Sequence, residues 1–222
     1  MPLVDVGFSI DDGPVPPEVV EFLDEADSRI TQFLRSQRDS TNFVSSDSVT
    51  VYQSLRAIAA AQLAPGNVFC EWGSGFGVAT SLAAMLEFSA YGIEVERSLV
   101  DAAQALADDF GLGAEFVHGS FIPPGAEALV DEAYVECSPD SFRLVTESDR
   151  AYHDLGLDSY DFDLVFTYPW PGEESVVQRL FERCAAEGAL LLTYGQRLSM
   201  RLQRKTAGGS ETDRDDGYSV LD

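Results

Sequence analysis

Hydrophobic positions in this chain keep a helical period up to about residue 63 and then alternate between two periods. Between 17 and 36, Val19, Leu23, Ala26, Ile30, Phe33 and Leu34 trace one helical face, with Pro17 suited to a first turn. A second helical pattern runs from 48 to 63, with Val49, Tyr52, Leu55, Ile58 and Ala59 inward, until Pro65-Gly66 stops it. Beyond 67, short apolar runs at 68–71, 90–94, 114–118, 162–167 and 189–194 read as strands. Helical patterns separate them at 78–87, from Ser98 to Gly111, and at 172–186. Ser98 with Asp101 reads as a variant capping box, and Gly111 as a stop. The run at 162–167 is apolar enough to be central and buried on both faces.

Strands alternating with helices predict a mostly parallel sheet with right-handed crossovers, an α/β sandwich of three layers. The two early helices are expected to cap it. Residues 1–16, broken by Asp11-Asp12-Gly13-Pro14 and Pro16-Pro17, read as a loop or arm, and the serine-rich stretch 38–48 as a loop. The segment 120–160 has no clear period. The polar tail leaves room for short strands near 200–204 and 218–221.

The chemistry concentrates at VFCEWGSGFG, residues 68–77. An apolar run ends in Glu71, and Gly73, Gly75 and Gly77 follow at every second position. Glycine permits positive φ and close approach of a ligand to bare backbone, so this is a strand turning sharply over a small molecule. The next strand ends in Glu94, placed to meet a ribose. Ligands in such sheets bind beyond the carboxyl ends of the strands, where strand order reverses; Glu71, Glu94, Ser120 and Thr167 all fall there. A dinucleotide fingerprint is missed by one position, since its third small residue would be Val78, and the Gly-Lys-Ser/Thr of a phosphate loop is absent. An acid directly before the glycines repels a pyrophosphate and suits a cationic head group.

Glu71-x-Gly73-x-Gly75-x-Gly77, followed by Tyr91-Gly-Ile-Glu94, resembles the class I, Rossmann-like S-adenosylmethionine-dependent methyltransferases across roughly 67–194. The resemblance implies a Rossmann-like core; with the helical patterns that precede it, the chain reads as an arm and helical cap over 1–66 and a core over 67–222 carrying an inserted segment at 126–160. The resemblance also implies S-adenosylmethionine as cofactor. Glu71, Trp72, Gly73, Ser74, Gly75 and Gly77 would surround its methionine end, and Glu94 would take both ribose hydroxyls. Ser120 would bond the adenine and Phe121 lie against its face, where the family often carries an acid. Thr167-Tyr168-Pro169-Trp170 faintly resembles the Asp/Asn-Pro-Pro-aromatic motif of amino-group methyltransferases, which makes Thr167, Tyr168 and Trp170 the candidates for positioning an acceptor. The family continues past its fifth strand through a helix and an antiparallel pair. This chain has little room for that helix, so a reduced far edge is expected.

Other residues have plainer readings. Glu96 reads as a helix-start charge, His118 as a rim histidine, and Glu173 and Glu174 as first-turn acids or an attraction for a cationic acceptor. His153 is a candidate to reach the acceptor. Residues 42–48 are a candidate lid, with Phe43 and Tyr52 shaping the entrance.

Charge narrows the partners. Fourteen basic residues against 38 acidic ones give a net charge of −24, which disfavours nucleic acid. Arg197, Arg201, Arg204 and Lys205, the last being the single lysine, form the one candidate basic patch. Such acidity also fits a salt-adapted surface. Cys70, Cys137 and Cys184 are scattered and read as free thiols in a reducing cytoplasm. Neither zinc nor a membrane span is expected, and the acidic start lacks a secretion signal. The leading expectation is a cytoplasmic methyltransferase acting on a small molecule or protein. A non-catalytic adenosyl-binding module and an aminopropyl-type transferase are the alternatives.

Overall fold

Strand β2 (Val68–Trp72) sits in the middle of the sheet because both its faces are apolar: Phe69 and Cys70 are fully buried on opposite sides. The computed structural model describes residues 2–10, 13–36, 46–136, 150–195 and 199–207. Chain order is β1 (Leu3–Asp5), α1 (Pro17–Ser36), α2 (Ser48–Ala60), β2, α3 (Val78–Met85), β3 (Ser89–Glu94), α4 (Arg97–Asp109) and β4 (Glu115–His118). It continues through α5 (Glu127–Glu136), α6 (Ala151–Leu155), a 3-10 turn (Ser159–Asp161), β5 (Leu164–Thr167), α7 (Glu174–Cys184), β6 (Leu190–Gly195) and β7 (Ser199–Lys205).

Seven strands lie in the order β1-β7-β6-β5-β2-β3-β4. From β6 to β4 every pairing is parallel, whereas β7 runs antiparallel to both β6 and β1. The chain builds outward from β2 through β3 to β4, then returns to place β5 on the other side of β2. Strand order therefore reverses between β2 and β5, which fixes where a ligand crevice opens.

Two apolar layers cover the sheet. Phe22, Leu55, Ile58, Phe69, Leu82, Leu106 and Phe166 join α1–α4 to one face. Cys70, Trp72, Val130, Val165, Val177 and Phe181 join α5–α7 to the other. Burying each large side chain contributes about 1.5–3 kcal/mol. The inward helical faces are slightly rotated from the sequence reading. Phe22 rather than Leu34 is buried in α1, and Val51 rather than Val49 in α2.

Four expectations need correction. Residues 1–16 are not all loop: Leu3–Asp5 form an edge strand in register with Gln203–Lys205, and Arg56 of α2 donates to the Pro14 and Gly13 carbonyls. The far edge of the sheet is consequently not reduced; a hairpin from β6 to β7 and the N-terminal arm complete it without a further helix. The segment 120–160 carries α5 and α6 among its described residues. The proposed cap at Ser98 is also displaced. α4 begins at Arg97 behind Glu96, and the Ser98 hydroxyl donates to the Glu96 carboxylate.

The basic patch dissolves into structural contacts. Arg201 pairs with Asp5, Arg204 donates to the carbonyls of Leu63 and Gly188, and Lys205 Nζ donates to the Ala185 carbonyl just past the end of α7. Arg197 lies outside the described residues, as do Cys137, Phe43 and the strand expected at 218–221. Lys205 is only 4% exposed. An amine-acylating reagent in excess should add one group fewer to the native protein than to the unfolded one, read by intact mass; full acylation of the native chain would contradict this burial. Cys70 and Cys184 are free thiols. Among the described residues, no helix is long and apolar enough to cross a membrane, and no group of three or more potential ligands would hold a metal.

Candidate functional site

The bend after β2 is made by glycines at φ +76, +52 and +66 (Gly73, Gly75 and Gly77), a backbone that other residues adopt only with strain. The Gly73 and Ser74 amides both donate to the Ile93 carbonyl, which ties the bend to the end of β3. Gly77 then opens α3. A Cβ there would stand 2.3 Å from the Phe116 ring, so this glycine serves packing. A Cβ on Gly73 would meet nothing within 4 Å, because Gly73 borders open space.

That space is a cavity of about 480 Å³ across the carboxyl ends of β3, β2 and β5, within the range of small-molecule sites. Glu71 and Glu94 both line it. Thr80 of α3 donates its N–H at 2.9 Å and its hydroxyl at 2.6 Å to Oε2 of Glu71, leaving Oε1 for a ligand. Burial pushes the Glu71 carboxyl up to about 8, outweighing the Thr80 bonds, with the Glu94 charge adding to the rise. Each Glu94 oxygen accepts one backbone amide, Oε2 from Gly75 at 2.8 Å and Oε1 from Glu96 at 2.9 Å. Glu94 therefore clasps the glycine bend, and each oxygen keeps a lone pair for another donor. Burial raises its carboxyl as well, against the pull of the amides of Glu96, Gly75 and Val95.

A raised acid has a definite sign in folding. Between about 4.3, the ordinary glutamate value, and about 8, folded Glu71 holds a proton that the unfolded chain has released, so ligand-free stability falls as pH rises through this window. Glu71→Gln removes that contribution. The melting temperature of the variant minus that of wild type should therefore grow from pH 5 to pH 8; a difference that stays flat across the range would contradict the buried acid.

The remaining candidates sort by position. Trp72, Ser74, Ser120, Phe121, Thr167, Tyr168 and Trp170 all line the same cavity. Trp72 is also packed, its ring stacked on Phe121 at 5.3 Å and 7°, so one face of Phe121 is already covered. The Ser120 hydroxyl accepts from the Ile122 amide. The Thr167 hydroxyl donates to the Trp72 carbonyl at 3.0 Å, which commits its proton and leaves it only an acceptor. Tyr168 meets Tyr194 edge-on at 5.1 Å. Of the candidate lid, Ser46 and Ser48 line the cavity while Asp47 caps α2. Tyr52 does not shape the entrance. It is buried beneath the Arg56 guanidinium, whose carbon lies 5.4 Å from the ring centre.

His153 is likewise no part of the site. Its side chain is 84% exposed beside Asp154, and neither it nor His118 lines the cavity. Glu173 is the residue that sequence reasoning underweighted. It is 2% exposed and lines the cavity, whereas Glu174 is half-buried, lies outside the cavity lining and accepts from the Gly172 amide.

No family model matches the chain, and no curated protein matches it in sequence. Solved structures do resemble it. An RNA methyltransferase from Salinibacter ruber, in complex with S-adenosyl-L-homocysteine, matches 76% of this chain and 97% of its own at 14% identity, with a TM-score of 0.50. A methyltransferase from Geobacter sulfurreducens matches 86% of this chain and 98% of its own at 16% identity and a TM-score of 0.49. An O-methyltransferase from Bacillus cereus, also in complex with S-adenosylhomocysteine, matches 81% and 66% at 12% identity and 0.47. The Salinibacter likeness, together with the sheet order, shows the fold: a mostly parallel α/β sheet of the Rossmann-like methyltransferase type.

Proposed function

We propose that this chain is an S-adenosylmethionine-dependent methyltransferase. The observation that carries the reading is that Glu71 and Glu94, on adjacent strand tips, line one cavity with the glycine bend between them. Glu71 takes the amine of the cofactor's methionine end, and Glu94 accepts from both ribose hydroxyls while holding Gly75. The bare backbone of Gly73 admits the ligand closely, Ser74 adds a hydroxyl-bearing wall, and Ser120 and Phe121 border the adenine. Trp72 acts through Phe121, by fixing its plane.

The bound cofactor supplies a methyl group already activated by its sulfonium, so no catalytic triad is required. What remains for the chain is alignment and exclusion of water. Thr167, at the end of β5, and Tyr168 and Trp170, just beyond it, position an acceptor in this reading, with Thr167 as hydrogen-bond acceptor only. An RNA acceptor, the class named for the Salinibacter enzyme, is disfavoured here by the net charge of −24 and by the commitment of Arg201, Arg204 and Lys205 to the fold. A small molecule or a protein fits better. The free thiols of Cys70 and Cys184 favour a reducing, cytoplasmic setting.

Labelled S-adenosylmethionine incubated separately with a small-molecule extract, a protein extract and total RNA tests this reading. Transfer to the first or second, lost with Glu94→Ala, supports it. Tight cofactor binding with no transfer to any of the three marks a non-catalytic module.

A further inference from the structure

Helix α3 begins without a cap of its own. Gly77, at the N-cap position, has no side chain, and the first amides of a helix have no partner inside it. At the third helical position, nine residues after Glu71, Thr80 sends both its donors outward to one atom. Its N–H at 2.9 Å and its hydroxyl at 2.6 Å both reach Oε2 of Glu71. A threonine inside a helix can return its hydroxyl to a carbonyl one turn back. Here the acid at the tip of β2 takes the hydroxyl and caps the helix. Thr80 is fully buried and does not itself line the cavity.

Two donors on one oxygen decide where a proton sits. An oxygen that accepts both an N–H and an O–H is the carbonyl oxygen of a protonated carboxyl, so the acid's own hydrogen belongs on Oε1, the oxygen left to the cavity. Burial keeps Glu71 protonated up to about 8, and the two Thr80 bonds pull the other way by favouring the ionised form. Other titratable groups surround it. Glu94 of β3 pushes the carboxyl further up, Glu96 and Glu173 share the cavity lining, and Cys70 lies on the opposite face of β2. α3 carries no charged side chain.

We propose that Thr80 is a positioning residue of the donor site: by occupying Oε2 it confines proton and ligand alike to Oε1 of Glu71 and eases the exchange of one for the other. The proposal rests on the methyl-donor reading and adds how its amine contact is made ready. When the ligand's ammonium arrives, the Oε1 proton leaves to solvent, and the carboxylate then accepts an N–H from the ammonium. Thr80 never touches the ligand; it brings the ionised acid within reach near neutral pH.

Thr80→Val keeps the branched shape and the N–H but loses the hydroxyl, Thr80→Ala loses the same hydroxyl in a good helix former, and Thr80→Ser retains it. Binding of S-adenosylhomocysteine to the full chain and to each variant is measured by calorimetric titration from pH 6 to pH 9.5. The ligand and Glu94 titrate alike in all of them, so the ratio of affinities at each pH isolates Glu71. Loss of one hydrogen bond to the ionised acid should cost Thr80→Val and Thr80→Ala roughly tenfold in affinity between pH 6 and pH 7, where Glu71 must shed its proton to bind. The gap from wild type should close towards one by pH 9.5, where the acid is ionised before ligand arrives. Thr80→Ser should follow wild type throughout. A loss of the same size at every pH marks a residue that only braces α3 and overturns the proposal. Wild-type affinity without the hydroxyl at pH 7, or an equal loss in Thr80→Ser, overturns it too. Failure of the wild-type chain to bind S-adenosylhomocysteine at any pH overturns the donor reading beneath it instead.

Discussion

Glu94→Ala should weaken S-adenosylhomocysteine binding by at least about a hundredfold. Two hydrogen bonds from ribose hydroxyls to an ionised carboxylate are worth roughly 1.5–3 kcal/mol each, and about 3 kcal/mol in total already exceeds a hundredfold in affinity. The substitution also frees the Gly75 and Glu96 amides, which Glu94 holds at 2.8 and 2.9 Å, so the bend loses its clasp together with the ligand's anchor. Glu94→Gln keeps one oxygen acceptor and should fall between alanine and wild type. Calorimetric titration of the three proteins reads the series. An alanine variant that binds like wild type would remove Glu94 from the ribose.

The glycines of the bend should separate into two classes when each is replaced by alanine. At Gly77 the new Cβ would lie 2.3 Å from Phe116 and 2.9 Å from the Ala103 Cβ, and φ is +66. Left-handed backbone costs about 1–2 kcal/mol and overpacking about 1–3 more. For a chain of this size that corresponds to a melting temperature lower by roughly 5–15 °C. At Gly73 the new Cβ meets no protein atom, so only the backbone cost applies and the melting temperature should fall by a few degrees. The same methyl would enter the cavity, so Gly73→Ala should lose ligand affinity while staying folded. Scanning calorimetry and ligand titration of both variants check the split; equal melting losses would contradict it.

The outcome shows which information is local in a sequence. The glycine bend, Glu71 and Glu94 were legible because a strand tip, its turn and the next strand tip lie within one short stretch, and each needs a particular residue type. Element positions from 68 to 118 were legible for the same reason, since period and stop signals act over neighbouring residues. The edge strand Leu3–Asp5 was not legible: its partner is β7, at the other end of the chain, and three residues carry no period. Nor did spacing reveal that Thr167 spends its proton on Trp72, because that contact joins β5 to β2. Glu173 and Glu174 look alike in sequence, and only the folded start of α7 brings one into the cavity lining and leaves the other half-buried outside it. His153 attracted notice by residue type alone; α6 turns it outward.

The paired carboxylates remain the centre of the account, and Glu71 offers the most direct test. With its carboxyl near 8, Glu71 is mostly protonated at pH 7 before ligand arrives, and a bound ammonium should drive it to ionise. Titrating the full chain with S-adenosylhomocysteine at pH 7, in two buffers of different ionisation heat, measures the protons exchanged. Saturable binding at one site, with release of nearly one proton that disappears in Glu71→Gln, is the predicted result. No binding, or binding with no proton released, would contradict the placing of a cationic amine against Glu71.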